Sequence, residues 1–156
     1  MGRMIHRFSD NLCHNHLCLV DRSVLFLLKG VVVDHKTNID KDFKTIYCTL
    51  EGELDIKESI RLSKSLREQA VELGYSVLYD ARKLKEPKSV MPVHDLTVKL
   101  SSILDATVHR KVKVGFLYEP GSYDDYWQFY GNAAVERGLE IKIFIGKEEA
   151  IKWLSN

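Results

Sequence analysis

The chain lacks the features that would assign it a reaction. Its 156 residues include three cysteines, Cys13, Cys18 and Cys48, an odd and sparse set that excludes a disulfide framework. Free thiols fit a reducing cytoplasm. Charge of one sign is missing too: 23 Lys and Arg stand against 22 Asp and Glu. A nucleic-acid binder gathers a basic excess on one face, and none is visible. Lys83, Lys85 and Lys88 come nearest, but Glu86 interrupts them, as in a solvated loop. The longest apolar candidate, Leu17 to Val33, contains Asp21, Arg22 and Lys29, so stable membrane insertion is not expected. Those charges, and the want of a small-residue cleavage site, argue against a secretory signal. Position 6 is His6, where myristoylation of Gly2 prefers Ser or Thr.

Catalytic constellations are also wanting. There is no nucleophile elbow, no Gly-rich phosphate loop and no redox cysteine pair. His94 and Asp95 are helix neighbours that point in different directions, and His109 stands alone, so surface histidines are the simpler account. Cys13, His14, His16 and Cys18 are ligand types that zinc favours, yet they are crowded and no second pair lies at the usual distance. The expectation is a protein without metal or cofactor, and not an enzyme.

What is present is a rhythm. The hydrophobic share of 45% and charged share of 29% suit one globular domain, which at this length buries about 70% of its unfolded surface. Residues 1–29 show no sustained period and read as an N-terminal extension or an upstream start. Residues 30–156 form the domain. Gly30 to Lys36 is a β-branched run, TNIDKD a polar turn, and Phe43 to Leu50 a strand alternating Ile46, Cys48 and Leu50 with Thr45, Tyr47 and Thr49. Asp55 and Glu58 predict a capping box for a helix reaching Leu73, with Ile56, Ile60, Leu66, Ala70 and Leu73 inward and Gly74 as left-handed cap. Strands are predicted over Tyr75 to Arg82, Lys111 to Tyr118 and Leu139 to Ile145. Helices are predicted from Pro92 to about Ala106, from Tyr123 to Arg137 with Ser122 and Asp125 capping, and from Lys147 to Leu154. The order ββαβαβαβα implies an α/β fold: a mostly parallel sheet of about five strands, an antiparallel hairpin at one edge, and covering helices.

This order, with GELD at the first helix, VLYDAR at the central strand, VKVGFLY at the next and EEAIKWL at the end, resembles the SpoIIAA-like branch of the STAS superfamily, also labelled STAS/SEC14-like. The resemblance covers about Gly30 to Leu154. It implies a small regulatory or ligand-binding domain. Anti-sigma-factor antagonists of that superfamily carry a phosphorylatable serine in the loop after the central strand, and Ser89 falls near that place. The surroundings depart from the family's Asp-Ser-Ser-Gly-like motif: Lys88 replaces the acidic residue, and Met91 and Pro92 stand where glycine would be.

Open parallel sheets bind ligands at the carboxyl ends of their strands. That edge should hold Asp80, Arg82, Ser89, Tyr118, Glu119 and Ser122, a polar rim or partner surface where Arg82 could grip an anion. Alternatively, Asp80 and Arg82 satisfy the loop or each other. Tyr123, Tyr126, Trp127 and Tyr130 form a core stripe, whereas Phe129 lies among Asp125, Asn132 and Glu136 as a candidate interface. Two functions compete: a cytoplasmic regulatory module that binds a protein partner, a second copy in a homodimer being one such partner, and a module for a small amphipathic or lipid-like ligand. The second requires an apolar cavity near the aromatic helix and the Val93 to Leu104 helix.

Overall fold

The computed structural model describes residues 34–53, 55–85, 91–121 and 123–156. Among these, the chain runs β1 (Asp34–Asp40), β2 (Thr45–Gly52), α1 (Ile56–Leu73), β3 (Ser76–Leu84), α2 (Met91–Ile103), a 3-10 turn (His109–Lys111), β4 (Val114–Leu117), α3 (Asp124–Glu136), β5 (Ile141–Phe144) and α4 (Lys147–Ser155). The strands form one sheet in the order β1-β2-β3-β4-β5. β1 pairs antiparallel with β2, and every later neighbour is parallel. The expected ββαβαβαβα order and mixed sheet are therefore present.

A right-handed crossover that always steps to the next strand in the same direction keeps its helix on the same face. α1, α2 and α3 accordingly lie together on one face of the sheet. Strand alternation feeds both faces. Ile46, Cys48, Val77, Tyr79, Val114, Phe116 and Ile141 join the main core beneath these helices. Leu78, Leu117 and Phe144 point the other way, onto Ala150 and Leu154 of α4. Gly115 makes that second layer thin, since a Cβ there would stand 2.9 Å from Leu78 Cδ1.

Local chemistry shifts several predicted boundaries. The first turn is KDFK, not TNIDKD, because Asp40 Oδ1 accepts the backbone N–H groups of Asp42 (3.0 Å) and Phe43 (3.1 Å). The strand predicted from Gly30 thus extends through Asp40, while residues 30–33 lie outside the described residues. α2 stops at Ile103 rather than Ala106, where Asp105 Oδ1 takes the N–H groups of Thr107 and Val108. β4 starts at Val114 rather than Lys111, because His109–Lys111 form a 3-10 turn. Leu73, expected inward, is exposed at the end of α1. Residues 1–29, with their Cys and His cluster, lie outside the described residues.

The start of α1 is half of the predicted capping box. Asp55 Oδ1 accepts the Glu58 N–H at 2.8 Å, but the Glu58 carboxylate meets Arg61 at 3.3 Å instead of returning to Asp55. Gly74 closes the helix at φ 68°, as expected for a left-handed cap. Asp55→Ala should therefore cost about 1 kcal/mol in urea-induced unfolding. Glu58→Ala should cost far less, since its exposed pair contributes little. Equal losses would contradict this one-sided cap.

Candidate functional site

The sheet divides the residues that sequence reasoning placed at one edge. Asp80 follows Leu78 by two and so shares the α4 face. There it forms a bidentate pair with Arg82, with Arg82 Nε 2.8 Å from Asp80 Oδ1 and Nη2 2.6 Å from Oδ2. Arg82 holds the Asp80 carboxyl below its ordinary range, and Lys147 adds to this. Glu119 is close enough to help keep Arg82 charged. Asp80, Arg82 and Glu119 are thus brought together, with the arginine already held by Asp80. Tyr118 is buried on the opposite face, its ring 5.9 Å from Trp127. Ser89 and Ser122 lie outside the described residues. The α3 cap Tyr123 makes no side-chain capping bond, and Gly121 N–H donates to Asp124 at 3.1 Å.

Under α1, α2 and α3 there is a cavity of about 40 Å³. Its floor is Leu50 of β2, Tyr79 and Leu84 of β3, and Phe116 of β4. α2 covers it with Val93, Leu96 and Leu100, and α3 with Tyr126, Trp127 and Tyr130. α1 closes the side with Leu62, Ser59 and Ser63. The aromatic wall is tightly built: Tyr79 stacks on Phe116 at 4.7 Å and 16°, and Tyr130 meets Phe116 edge-on at 5.1 Å. Partly exposed Glu58, Ser59 and Leu84 mark its outer end, at the carboxyl edge of the sheet. The inner end holds the buried rings of Tyr79 and Tyr130.

Arg67, which no sequence motif singled out, does not line the cavity but lies near two residues that do, Tyr79 and Tyr130. It follows Ser59 and Ser63 at helical spacing, on the same side of α1. It is only 1% exposed. Its Nη1 donates to the carbonyls of His109 (3.0 Å) and Val112 (3.2 Å). Its Nε and Nη2 have no partner in the protein, and neither does the Tyr79 hydroxyl. Ser63 faces that hydroxyl without reaching hydrogen-bond geometry. Burial lowers the Arg67 pKa, and the nearby groups that interact with it are Tyr79 and Tyr130 rather than a carboxylate. Each unsatisfied buried polar group costs about 1–3 kcal/mol. Three of them approach a whole domain's stability of about 5–15 kcal/mol.

Two further arginines brace the helices around this space. The Arg110 side chain donates to the carbonyls of Ser101 and Leu104, at the end of α2, and to that of Arg137. Arg137 Nη2 lies 3.2 Å from His94 Nε2, and because guanidinium only donates, that ring nitrogen accepts. His94 Nδ1 is 3.7 Å from Asp95, longer than a hydrogen bond. Among the described residues no group of three His, Cys, Asp or Glu is placed to hold a metal ion, and no helix is long and apolar enough to cross a membrane. Phe129 sits on the outer face of α3, 39% exposed, with the exposed Val135 further along the helix.

A solved structure with the same architecture is the crystal structure of an anti-sigma factor antagonist from Mycobacterium paratuberculosis. It is 10% identical, with a TM-score of 0.52, and the match covers 80% of this chain and 96% of that one. The fold is shared. No family model and no curated protein matches the chain.

The buried hydroxyls and thiol give this face a pH signature. Burial raises Cys48 from 9.0 to about 12, Tyr130 from 10.0 to about 12, and Tyr79 and Tyr126 upward as well. The unfolded chain therefore releases these protons at lower pH than the folded one, and stability is lost as pH rises. Thermal unfolding between neutral pH and pH 11 should show stability unaffected by these groups below about pH 9 and declining steadily above it. A melting temperature independent of pH through 10.0, the ordinary tyrosine value, would contradict their burial.

Proposed function

We propose that the chain is a non-catalytic cytoplasmic regulatory module that acts by binding a protein partner. The observation that carries this reading is the fold it has in common with an anti-sigma factor antagonist, a protein named for opposing another protein. The outer face of α3 supports it. Phe129 and Val135 are apolar side chains left exposed beside Asp125, Gln128, Asn132 and Glu136, the pairing of an apolar anchor with a polar rim. A second copy of the chain is one partner such a face could take.

One observation favours a second reading, a module for a small amphipathic ligand. The cavity is mostly apolar, is partly open at one end, and is lined by Tyr79, whose buried hydroxyl has no partner. That is the general form of a small-molecule site.

Tagged wild-type protein and Phe129→Asp should be compared by affinity capture from the native cytoplasm and by analytical ultracentrifugation. The expected result is a specific partner or self-association with the wild type, weakened at least tenfold in the variant, at an unchanged melting temperature. Equal association by both proteins would remove α3 from the interface. A wild type that stays alone would sink the reading.

A further inference from the structure

We propose that the open edge of β5 is a self-association surface, on which a second copy of the chain lays its own β5 antiparallel about a twofold axis through Ile143. The five-stranded sheet of each copy then continues into the other. This goes beyond the reading above, because it assigns self-association to β5 and leaves Phe129 to a different polypeptide.

Among the described residues, β4 is the single neighbour of β5. The carbonyls of Glu140 and Phe144 accept the N–H groups of Val114 and Tyr118. Strand alternation therefore turns the N–H and C=O of Ile143, and the N–H of Ile145, to the open side. The Ile141 N–H is held by the Leu139 carbonyl at 3.0 Å, which leaves its C=O open. Such an edge is a template for another strand, and proteins usually blunt it with charge. β1, at the opposite edge, carries Asp34, Lys36 and Asp40. β5 and the residue after it read Ile-Lys-Ile-Phe-Ile.

Three observations make a second copy the fitting occupant. The first is self-complementarity: about Ile143 the segment is symmetric in character. Ile143 meets the partner's Ile143, Ile141 meets the partner's Ile145, and Lys142 meets the partner's Phe144. An axis through Lys142 would instead set like charges opposite each other, which is unfavourable. In the favoured register the Ile143 groups bond reciprocally, and each Ile145 N–H meets the partner's Ile141 carbonyl.

The second is spacing. α3 crosses from β4 to β5 and packs on both, with Tyr130 edge-on to Phe116 and Gly131 against Ile143. The second copy of α3 lies two strand steps away, roughly 9–10 Å. Helices pack at ~8–10 Å, so the two α3 helices meet in contact. The third is the surface at that meeting place, a groove of about 540 Å³ lined by Gly131, Asn132, Val135, Ile141 and Ile143. Val135 beside it is 57% exposed, and Ile145 at the end of the edge is 56% exposed. Both are apolar side chains that the second copy covers. A twofold contact uses up the edge on both copies, so association through β5 stops at two.

Analytical ultracentrifugation and amide hydrogen exchange of the full chain, from low to high micromolar concentration, test this. The wild type should reach twice the 18.0 kDa chain mass. Exchange of the Ile143 and Ile145 amides should slow at least tenfold where the dimer forms. Ile145→Lys and Val135→Glu, both at positions more than half exposed, should weaken the dimer at least tenfold at an unchanged melting temperature. Phe129→Asp should leave it within threefold of wild type.

A monomer at every concentration overturns the proposal, and capture of another polypeptide through Phe129 then stands or falls separately. A dimer dissolved by Phe129→Asp alone moves the contact to the outer face of α3. If the two edge variants disagree, the Ile143 amide decides: exchange as fast in the dimer as in the monomer overturns pairing through β5.

Discussion

The handedness of the crossovers is the constraint from which the rest of this molecule follows. Each parallel connection from β2 to β5 turns the same way and steps to the adjacent strand, so three helices must crowd one face of a five-stranded sheet. The other face is left to α4 alone. A sheet whose strand order never reverses has no switch-point crevice at its carboxyl edge, the feature that locates ligands in doubly wound folds. A small apolar cavity lies instead between the helix layer and the sheet, where three helices meet over the rings of Tyr79 and Phe116.

That placement explains why the charged edge residues and the cavity are separate. Asp80 and Arg82 project on the α4 side and neutralise each other in an exposed pair of the kind that contributes about 0–1 kcal/mol. Arg67 projects into the helix layer and lacks such a partner. The energetic contrast is large, because a partner for a buried cation is worth much more than one at the surface. Arg67 also ties α1 to the segment entering β4 through two carbonyls, so its side chain braces the helix layer. Arg110 and Arg137 complete the brace without facing that problem, since their bonds lie at the partly exposed helix ends.

Much of this was legible in the chain. The alternation of Ile46, Cys48 and Leu50 against Tyr47 and Thr49 correctly sorted β2 between two faces, and Gly74 correctly marked the end of α1. The aromatic stripe Tyr126, Trp127 and Tyr130 is buried as its spacing implies. What escaped sequence reading depends on local competition or on tertiary context. Asp40 moved the hairpin turn by capturing two N–H groups, a bond that polar composition alone does not locate. Arg67 escaped because charged helix residues are normally assigned to the solvent face. A signal was there: it stands seven residues after Ile60 and three before Ala70, on the apolar stripe rather than opposite it. The sequence left Asp80 and Arg82 open as an anion grip or as partners for each other, and the structure shows the pair.

The central claim is that three crossover helices share one face of the sheet and bury Arg67 between α1 and the segment entering β4. A high-resolution crystal structure of the full chain tests it most directly. The account predicts α1, α2 and α3 together over Tyr79 and Phe116, with Arg67 Nη1 on the carbonyls of His109 and Val112. An Arg67 side chain turned out to solvent, or a crossover helix on the α4 face, would contradict it.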